Sequence, residues 1–322
     1  MLFGKRENTA TDSKSKKTSK NKNQSKGKKA TGACKHKTSM DELQELIGLS
    51  EAKKIIGQAS AYAKMQLLCE ERGIPHKPIS LHMLFTGNPG TAKTTVARLT
   101  AKILKESGFL SKGDLIEVGR CDLVGKYLGW TAKQVQEKFK EAEGSVLFID
   151  EAYALVDDRT GSYGDEAINT IVQEMENHRN DMVVIFAGYR KPMEHFLECN
   201  EGLNSRIAFR VNFPNYSEEE LMQILRKIVR ENGREISIEA AQAARELICR
   251  DMSQPGFGNG RYVRRLVERA MLSQASRLMS NSQDEDEISN HDLRFISPED
   301  FNDQGKDSTD AKMIGMAIGF AV

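Results

Sequence analysis

The stretch LHMLFTGNPGTAKTT, residues 81–95, decides the fold of this 322-residue chain. The mostly apolar run Leu81–Phe85 predicts a buried strand, and the glycines and proline after it predict a loop. A helical pattern follows from Thr95 to Lys105, and Lys93 and Thr94 open it. In such an arrangement the backbone N–H groups of the loop and the helix start face one point, where the helix dipole favours an anion. The stretch therefore predicts a phosphate-binding site.

The side chains of this loop suit a nucleotide phosphate chain with Mg²⁺. Lys93 is placed to reach the β- and γ-phosphates, and the hydroxyl of Thr94 is placed to hold a Mg²⁺ ion that bridges them. The predicted phosphate cradle consists of Gly87, Asn88, Pro89, Gly90, Thr91, Ala92, Lys93, Thr94 and Thr95.

Ala92 departs from the pattern G-x-x-x-x-G-K-[ST], which has glycine at that position. If Ala92 has a positive φ, its Cβ costs on the order of 1–2 kcal/mol. The alternative interpretation of the stretch is an ordinary glycine–proline turn ahead of an amphipathic helix. We favour the phosphate site because of a second motif further along the chain.

That second motif is a pair of carboxylates directly after an apolar run. Val146–Ile149 predicts a strand buried on both faces, and Asp150 and Glu151 follow it. Ligands of parallel sheets bind beyond the carboxyl ends of the strands. Asp150 is placed to hold Mg²⁺ opposite Thr94, and Glu151 is placed to orient or deprotonate an attacking water. A solvated strand end is the alternative, but the two motifs together predict nucleotide hydrolysis.

The remaining pattern predicts a large α/β domain followed by a helical one. Strands are predicted at 115–118, 182–186 and 209–213, and the last alternates as an edge strand does. From Tyr216 to about Ser280 only helices are predicted. We expect a five-stranded parallel P-loop domain followed by a small all-helical lid, after a disordered basic N-terminal arm. The expected segments are the arm, 1–38; the large ATP-binding domain, 39–215; the lid, 216–303; and a tail, 304–322.

Two helix starts are predicted from capping residues. Ser50 is expected to cap a helix over 51–71, and Thr131 is expected to cap a helix that runs to Glu143.

The net charge of +1 conceals an uneven distribution of charge. Residues 1–38 contain eleven Lys and one Arg against Glu7 and Asp12, a net charge of +10, so the rest of the chain carries −9. Because the arm has almost no apolar residues, we expect it to be disordered. Binding to nucleic acid through residues 1–38 is the less favoured interpretation, since no aromatic residues are interleaved with the charges.

Composition also bears on location. No apolar run reaches the roughly 18 residues that a membrane helix needs, and no apolar segment follows the basic start as in a signal peptide. The five cysteines are scattered, which favours free thiols in a reducing compartment. We expect a cytoplasmic protein with no membrane span.

From about Asp41 to Ser276 the chain resembles an AAA+ ATPase. It is most similar to the group that holds the red-type Rubisco activase CbbX and the stage V sporulation protein K. The segments that carry the resemblance are GNPGTAKTT, VLFIDEAYAL, VVIFAGYRKPM, GLNSRIAFRVNFPNYSEEEL and GNGRYVRRLVERA.

The resemblance implies roles for further residues. It makes residues 87–94 the Walker A motif and the carboxylates at 150 and 151 the Walker B motif, around ATP and Mg²⁺. It implies that Ile47 and Gly48 line the adenine pocket, that Arg206 is the arginine finger and that Arg261 is sensor 2. Arg264 and Arg265 compete with Arg261 for that role, and ordinary surface salt bridges are the alternative for all these arginines. The implied catalytic residues are Lys93, Glu151 and Arg206.

An arginine finger acts on the nucleotide of a neighbouring subunit. The resemblance therefore implies a ring of identical subunits with head-to-tail interfaces, and we expect a hexamer.

Sensor 1 departs from the family pattern. A polar Asn or Thr is usual at the end of the fourth strand, whereas this chain has Gly188 followed by Tyr189. Tyr189 can supply a hydroxyl, but Gly188 cannot. Together with Ala92, this departure concerns the rate of hydrolysis more than nucleotide binding.

Tyr127, Leu128 and Gly129 resemble the pore loop of ring ATPases. An aromatic side chain on a flexible loop can grip a polypeptide without reading its sequence. The alternative is that Tyr127 and Trp130 pack against the helix that follows.

The sequence thus predicts an AAA+ ATPase that remodels an unknown protein client. One alternative is a motor or loader on nucleic acid, and another is a nucleotide-gated binding module that hydrolyses ATP slowly. The residues do not choose between a Rubisco and a sporulation context. The apolar tail Met313–Val322 suits docking on a neighbour or on a client.

Overall fold

The computed structural model describes residues 37–125, 127, 129–156, 163–281 and 288–301. The predicted arm lies outside the described residues over positions 1–36, and so does the whole predicted tail, 304–322.

A five-stranded sheet forms the centre of the large α/β part. The strands are β1 (Met83–Gly87), β2 (Leu115–Val118), β3 (Val146–Ile149), β4 (Val183–Gly188) and β5 (Phe209–Phe213). Their order is β2-β3-β4-β1-β5, and all neighbouring pairs are parallel. The central strands β3 and β4 are buried along their whole length, whereas β5 lies at an edge, as its alternating pattern predicts. The predicted parallel α/β architecture is confirmed.

Helices cover both faces of this sheet. They are α1 (Ser39–Gln44), α2 (Ser50–Glu71), α3 (Lys93–Glu106), α4 (Arg120–Leu123), α5 (Trp130–Glu141), α6 (Tyr163–Asn177), α7 (Arg190–Glu198) and α8 (Glu201–Arg206), with a 3₁₀ turn at Ala152–Val156. Side chains alternate along a strand, so Phe85 joins the apolar cluster of α2 and α3, whereas Leu84 joins that of α5, α6 and α7. Because the strands are parallel, the loops that follow them lie together at the carboxyl edge of the sheet.

The lid is formed mainly by helices. They are α9 (Glu218–Glu231), α10 (Ile238–Met252), α11 (Asn259–Asn281) and α12 (Asn290–Arg294), with a 3₁₀ turn at Pro298–Phe301. The lid also contains a parallel pair of two-residue strands, β6 (Glu235–Ile236) and β7 (Phe295–Ile296), where the sequence predicts only helices around β6. Two residues are too few to give a strand period.

Two predicted helix caps are wrong. The residue before α2 is Leu49, with φ +59°, and Ser50 is already helical. The residue before α5 is Gly129, with φ +78°, and the buried hydroxyl of Thr131 instead accepts a hydrogen bond from the Gly125 N–H at 3.1 Å. Both helices begin from a left-handed residue that makes no side-chain cap, so the usual Ser/Thr signal misplaces their starts.

The longest described helices are α2, with 22 residues, and α11, with 23. Neither of them, nor any other helix in the described ranges, is apolar enough over a sufficient length to cross a bilayer.

Candidate functional site

The phosphate loop joins β1 to α3 through two left-handed residues. Gly90 has φ +72° and Ala92 has φ +67°, and α3 begins immediately afterwards at Lys93. Ala92 therefore lies in the conformation that the motif normally gives to glycine, and its Cβ carries the expected strain. These two residues form the turn that brings the start of α3 next to the end of β1.

The side chain of Lys93 is hydrogen-bonded to the backbone at the start of this loop. Its Nζ donates to the backbone oxygens of Gly87, at 2.8 Å, and Asn88, at 2.9 Å. Burial lowers the pKa of Lys93, while the carboxylate of Asp150 opposes that change. The ammonium group is therefore held at the mouth of the loop, close to the carboxylates that follow β3.

Asp150 and Glu151 lie directly beyond β3. The Asp150 N–H donates to the Val118 oxygen at 3.0 Å, which ties this end of β3 to β2. The Asp150 Oδ1 accepts from the Glu151 N–H at 3.1 Å, and Glu151 has φ +48°. Tyr153 lies close by: burial and then the charge of Glu151 raise its pKa to about 12. The two carboxylates are thus presented by a strained turn.

A cavity of about 810 Å³ lies between this edge of the sheet and the lid. The predicted residues that line it are Ile47, Gly87, Pro89, Gly90, Ala92, Lys93, Thr94, Thr95, Asp150, Glu151 and Arg261. Loop, carboxylates and lid arginine, which lie far apart in the sequence, therefore meet in one space.

Three predicted binding residues are not among the described residues that line the cavity. Thr91 is fully buried, and its hydroxyl donates to the Asn88 oxygen at 2.8 Å. The Asn88 side chain donates to Asn215 Oδ1 at 2.8 Å, away from the phosphate side of the loop. Gly48, with φ +64°, lies against α9, where a Cβ would come within 2.2 Å of Glu220 Oε1. These three residues pack against their neighbours and support the residues that line the cavity.

The lid gives the cavity a basic end. Arg261, Arg264 and Arg265 all line it, because residues three and four apart share one face of α11. The sequence left these arginines as competitors, and the structure brings all of them to the cavity. Lys227 adds a further cation, with Glu231 at 3.9 Å from its Nζ.

An apolar wall lines another part of the cavity, and most of its residues do not stand out in the sequence. Besides Ile47, this wall includes Leu46, Tyr216, Ile224 and Ile228. The spacing of 224 and 228 on the amphipathic helix α9 is the sequence signal that could have indicated a shared face. Apolar side chains beside a cluster of cations suit a ligand with a flat ring and a phosphate chain.

The end of β4, where the resemblance predicts sensor 1, is crowded. A Cβ on Gly188 would lie 2.8 Å from Tyr153 Cδ1 and 2.8 Å from Met193 Sδ, so a larger residue does not fit without a shift. Tyr189 lines the cavity, and its ring centroid lies 6.0 Å from that of Tyr153. Two tyrosines therefore occupy the space beside Glu151.

Arg206 lies elsewhere, at the end of α8. Its Nη1 donates to the Gly202 oxygen at 3.1 Å, and its Nε is 3.5 Å from Glu176 Oε2. It is not among the described residues that line the cavity. Within one subunit, the structure does not bring Arg206 to the other predicted catalytic residues.

The residues Tyr127 and Trp130 are 63% and 57% exposed, and their ring centroids are 5.2 Å apart in an edge-to-face contact. In the sequence, Gly129 and Leu128 stand between these two residues, and Leu128 lies outside the described residues. Tyr127 and the first residue of α5, Trp130, thus present two aromatic side chains to solvent.

The residues around the cavity fit a nucleotide with Mg²⁺. The hydroxyl of Thr94 and the carboxylate of Asp150 are oxygen ligands of the kind Mg²⁺ prefers, and they line the cavity together with Glu151 and Lys93. The basic end suits the phosphates and the apolar wall suits the base.

Comparisons with known proteins agree with this geometry. Residues 83–215 match the model of the ATPase family associated with various cellular activities (AAA), and residues 217–311 match the AAA lid domain. The first match contains the phosphate loop and the carboxylates, and the second contains the lid arginines.

Several curated proteins are similar over most of the chain. Protein CbbX of Cereibacter sphaeroides is 45% identical over 245 residues, 76% of this chain and 79% of that protein. The chloroplastic ribulose bisphosphate carboxylase/oxygenase activase of Cyanidioschyzon merolae is 44% identical over 263 residues, covering 81% and 89%. Stage V sporulation protein K of Bacillus subtilis is 39% identical over 264 residues, 81% of each chain.

A solved structure shares the fold at low identity. The FIGL-1 AAA domain in complex with ADP superposes with a TM-score of 0.56 at 20% identity, over 84% of this chain and 88% of that one.

Proposed function

Because the chain belongs to the AAA+ ATPases, in the group of CbbX and stage V sporulation protein K, we propose that it hydrolyses ATP between the subunits of a ring and thereby remodels a protein partner. ATPase activity follows from the family, and the ring interface and the remodelling are the proposal.

One observation carries the proposal of an intersubunit site. Lys93, Asp150 and Glu151 line the cavity of one subunit, whereas Arg206 lies outside that cavity. Phosphoryl transfer needs extra positive charge on the γ-phosphate in the transition state. A head-to-tail ring lets Arg206 of each subunit serve the cavity of the next. We expect six subunits.

Each residue of the cavity then has a proposed role. Lys93 binds the β- and γ-phosphates, and Thr94 with Asp150 holds Mg²⁺. Bound Mg²⁺ supplies positive charge that neutralises the phosphate oxygens. Glu151 orients the attacking water and accepts its proton, and Arg261 reaches the terminal phosphate from the lid. The adenine ring packs against Ile47 and the apolar wall around it.

The proposed client is a protein. Tyr127 is exposed beside Trp130, and exposed aromatic rings suit apolar contact with an extended polypeptide. A pore role for residues 127–129 remains part of this proposal.

The proposed location is the cytoplasm. Cys69, Cys121, Cys199 and Cys249 are free thiols, which suits a reducing compartment.

A slow, nucleotide-gated binding module is the second candidate function. Two observations favour it: the strained Cβ of Ala92 in the phosphate loop and the lack of a side chain at Gly188 beside Glu151. Such a module binds ATP tightly and hydrolyses it at the same low rate whether or not it assembles.

Steady-state ATP hydrolysis against protein concentration tests the proposal. We expect turnover per subunit to rise with concentration, and Glu151→Gln and Arg206→Ala each to reduce it at least about a hundredfold. Arg179→Ala is the matched control, because the exposed Arg179 donates to Glu176, the carboxylate that also lies beside Arg206, at 2.7 Å. This control should keep the parent activity.

Mixing the two inactive variants separates an intersubunit site from an internal one. In a mixed ring some interfaces join an intact Glu151 to an intact Arg206, so activity should recover to about a quarter of the parent value. No recovery from mixed rings would contradict the intersubunit site. Equal, slow hydrolysis by the parent and both variants would favour the binding module.

A further inference from the structure

The start of α11 is hydrogen-bonded to the phosphate loop. The Gly260 N–H donates to the Gly90 oxygen at 3.0 Å, and Asn259 Nδ2 donates to the Pro89 oxygen at 3.2 Å. Gly90 makes this approach possible, because a Cβ there would lie 2.1 Å from the Gly258 oxygen. The lid therefore meets the loop backbone to backbone, on the side of the loop that its carbonyl groups face.

Asn259 joins three parts of the molecule through one amide. It is fully buried, and its Oδ1 accepts from the Tyr216 N–H at 3.1 Å. Its Nδ2 also donates to Asn215 Oδ1 at 3.0 Å, the same oxygen that accepts from the Asn88 side chain. Since the Tyr216 N–H can only donate, the orientation of the amide is fixed. The phosphate loop, the connection to α9 and the lid thus share a single group.

The backbone of Asn259 is strained. Its φ is +46°, a region that asparagine tolerates better than most residues but still occupies at a cost. A role in packing alone needs neither this conformation nor a buried amide with partners at both ends. The set of partners therefore points to a requirement for a fixed position of the start of α11.

The contacts link phosphate binding to the lid arginines. A peptide unit is planar, so fixing the carbonyls of Pro89 and Gly90 also fixes the N–H groups on the opposite side of the same units. Those N–H groups belong to the phosphate loop. Arg261 follows Asn259 by two residues and lines the same cavity. The hydrogen bonds from Asn259 and Gly260 to the loop therefore fix the position of the Arg261 backbone relative to the phosphate loop.

We infer that Asn259 is a positioning residue, which holds the start of α11 on the phosphate loop so that Arg261 meets the terminal phosphate of the nucleotide. This inference rests on the proposed role of Arg261. It makes Asn259 a determinant of the preference for ATP over ADP, although its side chain touches the loop and not the ligand.

The test measures the dissociation constants of Mg-ATP and Mg-ADP by isothermal calorimetry, in a Glu151→Gln background that prevents hydrolysis. The variants are Asn259→Gly, which tolerates the positive φ; Arg261→Ala; and the two combined. Asn232→Gly is the matched control, since Asn232 is an exposed asparagine at the end of α9 whose amide donates to the Ile228 oxygen.

We expect Asn259→Gly to reduce the preference for ATP over ADP about tenfold, as Arg261→Ala does, while ADP affinity stays within about twofold of the parent. The double variant should bind like Arg261→Ala alone, because both changes remove the same contact. Asn232→Gly should keep the parent preference. If Asn259→Gly is too unstable to measure, Asn259→Ala also removes the donor and the acceptor of the amide, adds no charge and keeps the Cβ, with the same expected result.

Two outcomes would overturn the inference by itself: an equal loss of ATP and ADP affinity in Asn259→Gly, or a double variant in which the two single losses multiply. If Arg261→Ala itself keeps the parent preference, the proposed role of Arg261 fails, and the inference falls with it. The single variant Arg261→Ala thus distinguishes the two failures.

Discussion

At the scale of single residues, backbone strain is concentrated around the cavity. The described non-glycine residues with positive φ are Leu49, Ala92, Glu151 and Asn259. Ala92 lies in the phosphate loop, Glu151 follows β3, Asn259 binds the loop from the lid, and Leu49 follows the Ile47 segment. Strain of this kind persists only where the surroundings enforce it, and it is most frequent at functional sites.

Replacing Ala92 by glycine should stabilise the protein. The change removes the strain of a Cβ at φ +67°, about 1–2 kcal/mol, and adds about 0.5–1 kcal/mol of chain entropy in the unfolded state. We expect the free energy of unfolding in urea to rise by about 0.5–1 kcal/mol. Ala61→Gly, at an exposed position of α2 with helical geometry, should instead lower it by about 1 kcal/mol. A loss of stability in Ala92→Gly would show that the loop is relaxed around its alanine.

Site residues that belong to a local sequence motif can be predicted from the sequence. Residues that reach the cavity only through the fold cannot. Lys93, Thr94, Asp150 and Glu151 stand out because each follows a strand and carries a group that phosphate or Mg²⁺ requires. Tyr216 and Ile228 carry ordinary apolar surface, and only the folded lid brings them to the cavity. For the same reason the three lid arginines could not be ranked from the sequence alone.

At the scale of elements, His82 connects the start of β1 to two other elements. Its Nδ1 accepts from the Val184 N–H of β4 at 3.0 Å, which leaves the proton on Nε2, and Nε2 donates to the Met175 oxygen of α6 at 3.2 Å. Burial lowers the pKa of His82 to about 4. The neutral ring is therefore the form that holds these elements together.

The pH dependence of stability should show this histidine. Unfolded histidine has a pKa near 6.5, so between about pH 6.5 and 4 the unfolded state binds a proton that the folded state does not. Stability from this group is complete above pH 6.5 and decreases by on the order of 3 kcal/mol as the pH falls to 4. Urea unfolding of the parent and of His82→Gln at pH 7.5, 6 and 5 measures the difference in slope. Parallel curves for the two proteins would mean that His82 titrates normally.

Elements are predictable where a period repeats and less so where one residue decides. The strand β3 is a continuous apolar run and β1 a mostly apolar one, and the sequence predicts both within two residues at each end. The sequence predicts the wrong starting residues for α2 and α5, because a left-handed residue before a helix leaves no polar capping signal. The pair β6 and β7 depends on pairing between residues 60 positions apart in the sequence, which no local pattern encodes.

At the scale of the whole molecule, one cluster of buried apolar residues runs from a face of the sheet into the lid. It contains Phe85 and Val211 in the sheet, Leu221 and Leu225 on α9, and Val263 on α11. The alternation of strands and helices predicted the parallel sheet, but the strand order β2-β3-β4-β1-β5 is a property of long-range packing. A ligand in the cavity touches both the sheet edge and the lid, so it opposes the unfolding of both.

ATP should therefore raise the thermal stability of the molecule as a single unit. At about a hundred times its dissociation constant it should add about 2.7 kcal/mol to the free energy of unfolding in a Glu151→Gln background. Differential scanning calorimetry of dilute protein should show this shift in one transition. Arg206→Ala should keep the shift, because Arg206 lies outside its own cavity, and Lys93→Ala should lose it. A lost shift in Arg206→Ala would place that arginine on the nucleotide of its own subunit.

The exposed pair of rings at Tyr127 and Trp130 gives the protein a built-in optical reporter. Trp130 is the one tryptophan among the 322 residues, so excitation at a wavelength that only tryptophan absorbs gives fluorescence from a single known position. Trp130 is 57% exposed, and its ring lies edge to face with that of Tyr127, so its emission wavelength and lifetime respond to a change in hydration and to the loss of that neighbour. A polypeptide that enters this loop would change the fluorescence of the unlabelled protein, with no other tryptophan to dilute the signal.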